Sequence, residues 1–170
     1  MDSPLAVLLR DGSHANATTR LALKVEQLSI SISKTPIQIP IPRSTPQILD
    51  LGISRPSITI SGIVDNVGGD PSNSDSGFQD MEKMSVNSQT YYIPYKNFLE
   101  EKLITWVTSP SVVIQVEVGD ATTPTGDGHT GGGIYEVGVQ TAQFSVSPAT
   151  EDRWVYSIQF VAKIRNGVSF

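Results

Sequence analysis

The chain has no cysteine among its 170 residues, which removes disulfides, thiolate metal sites and thiol nucleophiles in one step. Any core must hold by packing alone. Histidine is almost as scarce, at His14 and His129, whereas triad catalysis needs a nucleophile, a base and a group to orient the base. No GxSxG, HExxH or GxxxxGK pattern occurs, so hydrolase, zinc-protease and P-loop chemistry lack their usual carriers. The expectation is no enzyme, no catalytic residue, no metal and no cofactor. No stretch of about 18 apolar residues could cross a membrane as a helix, and residues 1–9 lack the charged start and long apolar run of a secretory signal. The expected product is made and kept soluble, with no membrane partner.

Positive charge is also in short supply, with 12 Lys and Arg against 17 Asp and Glu and a net charge of −5. Residues 1–64 carry six basic and four acidic groups (+2), and residues 65–170 carry six basic and thirteen acidic groups (−7). No basic patch for direct nucleic-acid binding is visible. Acidity serves solubility first. It would also suit the wall of a conduit along which a polyanion slides without sticking.

What the chain does have is β-type alternation, and its 38% hydrophobic content is enough for one core and one domain, residues 1–170. Residues 1–20 show no clean period and are rich in small polar groups, so a flexible arm ordered by partners is expected there. Leu21, Leu23 and Val25 share one parity and Leu28, Ile30 and Ile32 the other. The shift near Gln27 means a bulge within one long strand, or two strands joined tightly. Residues 35–42 (TPIQIPIP) place Ile37, Ile39 and Ile41 on one side, but Pro36, Pro40 and Pro42 cannot donate to a ladder. This is an extended segment that either lies on a neighbouring subunit or crosses the chain's own sheet. Residues 57–64 (SITISGIV) read as a strand in which Gly62 marks a bulge or a close backbone approach. Residues 65–90 lose all periodicity and collect Asp65, Asp70, Asp75, Asp80 and Glu82, so a long surface loop is expected.

A single amphipathic helix interrupts the strands. Tyr95, Phe98, Leu99, Leu103, Trp106 and Val107 fall at i, i+3/i+4, i+7/i+8 spacing, which predicts a buried stripe over residues 95–107. Either Pro94 opens it as a first-turn residue, or Asn97 caps it with Glu100 closing a capping box. Ser109-Pro110 ends it. Such a stripe must cover a sheet, so the architecture is a β-sandwich with one covering helix. Residues 111–118 form a further strand, residues 119–133 a second glycine-rich loop, and residues 135–146 and 153–165 two long strands. The last puts Trp154, Tyr156, Ile158, Phe160, Ala162 and Ile164 on one face. Its other face, Val155, Ser157, Gln159, Val161, Lys163 and Arg165, is half polar, as a wet or partner-facing side should be.

Candidate chemistry is thin. Asp127-Gly-His129 and the Asn73, Asp75, Gly77 spacing resemble metal-loop fragments, but both are common turn chemistry, and the second lacks the terminal bidentate Glu. The acid pairs Glu100-Glu101 and Glu151-Asp152 read as solvated charges. Trp106 and Trp154 would stack on sugars if exposed, which makes a non-catalytic carbohydrate-binding β-sandwich the alternative reading. Each lies on the apolar face of its own element, where core packing is the simpler account.

The order of elements resembles that of tail-tube-like proteins of bacteriophages and related contractile particles. Residues 50–65 (DLGISRPSITISGIVD) resemble a segment of phage tail and baseplate proteins, and residues 92–103 (YIPYKNFLEEKL) resemble their loop-to-helix approach. The likeness spans about residues 20–168. It implies a mainly β fold, a tail-tube-like sandwich or barrel with one α-helix packed on the outside, an extended N-terminal arm and long loops. It further implies a structural virion protein of the tail that forms a homo-oligomeric ring, usually sixfold, of the tail tube or the tube–baseplate junction. DNA would pass through without sequence-specific contact, and adjacent tube, sheath or baseplate proteins would be partners. On this reading Ile37, Ile39 and Ile41 of the proline-studded segment and Gln159, Lys163 and Arg165 of the last strand are the candidate inter-subunit contacts. The loop after residue 65 and the basic-leaning N-terminal third leave a tube initiator or adaptor ring open beside a plain tube repeat.

Overall fold

The computed structural model describes residues 5–13, 15–33, 37–39, 47–49, 55–65, 81–86, 88–109, 111–120, 133–147, 149, 153–165 and 168–169. In chain order the elements are β1 (Leu5–Arg10), β2 (Arg20–Ser31), β3 (Ile37–Ile39), β4 (Gln47–Leu49), β5 (Ser57–Asp65), β6 (Glu82–Val86), β7 (Gln89–Ile93), α1 (Lys96–Thr108), β8 (Ile114–Asp120), β9 (Ile134–Val146), β10 (Arg153–Arg165) and β11 (Val168–Ser169). Six strands hydrogen-bond in the order β1-β8-β9-β10-β5-β2, and β2 returns to β1, closing an antiparallel barrel. The fold is therefore mainly β with one helix, as expected, and closed into a barrel rather than split into two sheets. Among the described residues β3 pairs only with β4, off the barrel.

Alternation decides what lies inside. Val7 and Leu9 of β1, Leu21, Leu23 and Val25 of β2, Ile58, Ile60 and Val64 of β5, and Tyr156, Ile158, Phe160 and Ala162 of β10 share one core cluster. The parity shift in β2 is a bulge between Val25 and Gln27 within one continuous strand. Gly62 lies opposite Val25 beside it. A Cβ there would sit 2.1 Å from the Lys24 carbonyl oxygen and 2.9 Å from Tyr156 Oη, so the close approach read from the sequence is real.

The first 20 residues are not simply an arm. Leu5–Arg10 is the strand that closes the barrel, paired to β2 on one side and β8 on the other. Its run LAVLL hides the period because both faces are covered, Val7 and Leu9 by the barrel interior and Leu8 by a second cluster outside it. Residues 81–90, expected within a loop, instead form most of the β6–β7 hairpin, which turns at Ser88 with a positive φ of 63°. That hairpin lies over the outer face of β1 and β2, where Val86, Tyr91, Leu8 and Ala22 pack together.

The helix starts at Lys96 with Tyr95 as an extended N-cap that makes no side-chain cap bond. Neither Pro94 in the first turn nor Asn97 as cap describes it. Glu100 pairs with Lys96 one turn back, which takes it out of any capping box. Leu99, Leu103 and Trp106 are buried and Phe98 half-buried, but Val107, expected in the stripe, is exposed. The stripe is narrower than predicted because α1 covers only one end of the barrel, where its apolar residues join the interior cluster.

Candidate functional site

The barrel is complete at one end only. β1 bonds to β2 along residues 20–24, and β8 reaches β9 only as far as Val137. Beyond those points β9, β10, β5 and β2 continue as a four-stranded antiparallel sheet. Among the described residues, the backbone of β2 from Gln27 to Ser31 and of β9 from Val139 to Val146 has a neighbouring strand on one side only. A sheet with two such edges is a template for further pairing.

The face of this sheet turned away from the core is uncharged across its middle. Cross-strand register aligns Ser29, Thr59, Gln159 and Thr141 in one row. The next row is Gln27, Ser61, Ser157 and Gln143. Gln159 Nε2 donates to Ser57 Oγ at 3.0 Å and its Oε1 accepts from Thr141 Oγ1 at 3.4 Å, so part of this carpet is bonded to itself. At one end Asp65 and Arg153 face each other across β5 and β10 beside Lys24 and Glu26, and toward the other Lys163 is exposed.

The opposite face meets the helix. Lys96 Nζ lies 4.5 Å from the Trp154 ring centroid and 5.6 Å from that of Phe144, and pairs with Glu100. Beside this contact α1 and β9 enclose a groove of about 350 Å³. Trp106 is buried and Trp154 half-buried under the Lys96 ammonium, so neither is presented as a sugar-stacking platform.

Two polar devices support the frame. Arg10 donates to Glu117 Oε2 at 2.5 Å, to Gln115 Oε1 at 3.1 Å and to Tyr91 Oη at 3.2 Å, with Arg10 and Glu117 each 1% exposed. This network ties β1 and β8 to the β6–β7 hairpin above them. Tyr156 Oη donates to the Lys24 carbonyl at 2.7 Å, next to the β2 bulge. Burial raises the pKa of Tyr156 and, against the opposing pull of Arg10, that of Tyr91.

The described candidate contacts lie on two elements, β3 and β10. Gln159 lies in the neutral rows of β10, an inner strand whose backbone is paired on both sides. Lys163 is exposed at a bulge of the same strand. Arg165 pairs through its backbone with Tyr135 and Val168, and Ile37 and Ile39 pair with Leu49 and Gln47; the side chains of these three, and all of Ile41, lie outside the described residues. The residues around 73–77 and 127–129 also lie outside them. Among the described residues, no three of His, Asp and Glu gather as a metal site. The two open edges were missed, although apolar Ile30 and Ile32 at the end of a strand were a signal.

No protein-family model and no curated protein matches the chain. Solved structures match it at the level of fold. A chain of the SPP1 tail tube, determined by solid-state NMR and cryo-EM, aligns over 97% of this chain and 76% of its own length, with 11% identity and a TM-score of 0.51. A chain of the anti-feeding prophage baseplate, sixfold symmetrised, aligns over 97% and 92% with 6% identity and a TM-score of 0.50. A chain of the virion of a native gene transfer agent particle aligns over 92% and 89%, with 10% identity and a TM-score of 0.45. The fold is the one found in tail-tube and baseplate chains, in line with the resemblance read from the sequence.

Proposed function

We propose that this chain is a non-enzymatic structural protein of a phage-type tail, located in the virion after synthesis in the host cytoplasm. In this reading copies form a ring of the tail tube or of the tube–baseplate junction. The observation that carries it is the pair of open edges on one four-stranded sheet. Four antiparallel strands make β9 and β2 run in opposite directions, so β2 of one copy beside β9 of the next continues the antiparallel order. The two edges differ, which makes the contact heterologous, and a heterologous contact that closes makes a ring.

Size favours six copies, the symmetry applied to the baseplate neighbour. Twenty-four strands at about 4.8 Å spacing and about 40° tilt enclose a barrel about 48 Å across the backbone, whereas sixteen enclose about 32 Å before side chains are counted. The wider ring leaves room for a nucleic-acid duplex. The core and α1 lie on one side of the sheet, so the uncharged rows line the bore, and DNA meets hydroxyls and amides along its middle. Such a wall gives a polyanion no counterion-releasing contact. Neighbouring rings and sheath or baseplate proteins would meet the barrel's ends, with the β3–β4 hairpin carrying Ile37 and Ile39 as a further contact.

Native mass spectrometry and negative-stain microscopy test this directly. Ring-sized particles with a central hole are expected, and a species that stays monomeric at high concentration refutes the reading.

A further inference from the structure

The two open edges carry matching apolar features on the same face of the sheet. At the β2 edge Leu28 packs on the core, while Ile30, opposite buried Ile58, is 39% exposed and Ile32, two residues on, is 73% exposed. Single exposed isoleucines are ordinary, but two in sequence along a free edge on its core-facing side are not. At the β9 edge the groove beside α1 is lined by Leu103, Ile104, Val107, Ala142 and Phe144. Ile104 is 58% and Val107 55% exposed although both face an apolar groove. Glu100 is its one ionisable lining residue.

We propose that the groove of one copy receives Ile30 and Ile32 of the adjoining copy. This rests on the ring reading and specifies the seam between subunits. Strand alternation keeps core-side residues on the core side when the sheet is continued, so the isoleucines arrive on the face where α1 stands. Register agrees as well. One row runs Leu28, Ile60, Ile158, Ala142 from edge to edge, and the next runs Ile30, Ile58, Phe160, Val139. Continued without stagger, these rows set Leu28 beside Ala142 of the next copy; a two-residue stagger, of the kind tilted barrels require, sets Ile30 there and Ile32 beside Val139. The flanking Ser29, Ser31 and Ser33 bring no charge into the seam. A twofold dimer through two β2 edges would leave both grooves empty, so the fit selects head-to-tail assembly.

Complementary edge variants provide the test. Ile32→Asp spoils the projecting edge and keeps the groove, and Val107→Asp spoils the groove and keeps the edge. Both positions are exposed, so each variant is expected to keep the wild-type circular dichroism and melting cooperativity. The wild type should form rings, and each variant alone should run at the monomer mass of 18.3 kDa in light scattering. An equimolar mixture has one intact seam per pair and should give a species of twice that mass and nothing larger. Rings that survive in either variant, or a mixture that stays monomeric, overturn this seam while the ring reading stands. A wild type that never leaves the monomer mass overturns both.

Discussion

Replacing Gly62 by alanine tests the geometry at the β2 bulge with a single methyl group. The added Cβ would lie 2.1 Å from the Lys24 carbonyl oxygen, where even a close C–H···O contact needs about 3.3 Å, so something must move by about 1 Å. The obstacle is backbone, held by the ladder on both sides of the bulge, and not the far end of a flexible side chain. Overpacking of this kind costs about 1–3 kcal/mol. The second obstacle is Tyr156 Oη at 2.9 Å, whose 2.7 Å bond to the same carbonyl must stretch or break, and an unmet buried polar group adds about 1–3 kcal/mol. Against this, alanine restricts the unfolded chain and returns about 0.4–1 kcal/mol. Strain wins, with a net loss of about 3 kcal/mol and a fall in Tm of about 6–12 °C for a chain this long. Gly138→Ala is the control, because its Cβ would meet only the Lys163 side chain, at 3.5 Å, and its stability should stay within about 0.5 kcal/mol of wild type. Urea unfolding at fixed protein concentration gives both numbers. A Gly62→Ala loss below about 1 kcal/mol would refute the close approach.

The remaining predictions concern the buried polar groups. Arg10→Ala leaves the Glu117 carboxylate buried without its counter-charge and should cost about 3–5 kcal/mol in urea unfolding, whereas Arg10→Met with Glu117→Leu should recover most of that loss; equal losses would show that charge is not the cause. Tyr91 and Tyr156 have folded pKa values raised above the ordinary 10.0, so above pH 10 the unfolded chain releases protons that the folded chain keeps. Stability is then full below pH 10 and falls as pH rises beyond it, for Tyr156 by at most about 1.4 kcal/mol per pH unit. Tyr156→Phe should flatten that fall in melts between pH 10 and 11, and a wild-type stability that is flat over this range would contradict the burial of the Tyr156 phenol.

Much of the frame was legible because it depends on period and on single residues with one physical meaning. The β2 parity break, the glycine that admits a close backbone, the core face of β10 and the lone helix are all local signals, carried by alternation, by the missing Cβ and by the 3.6-residue stripe. β1 escaped notice because a strand covered on both faces has no alternation to read, and its closure of the barrel pairs it with strands far away in sequence. The helix start escaped because Lys96 claimed Glu100, an outcome of side-chain competition rather than of spacing.

The sequence by itself determined that the molecule is β-rich, uses no thiol chemistry and covers one part of its sheet with a single helix, since these follow from composition and short-range pattern. Only the tertiary structure decided which strand edges stay open among the described residues. Whether β9 beyond Val137 or β2 beyond Val25 has a partner depends on where β8 and β1 end against them, a long-range length match that no local pattern encodes. The same holds for the uncharged face. Its rows draw one residue each from four strands, and hydrogen-bond register alone sets Ser, Thr and Gln side by side there.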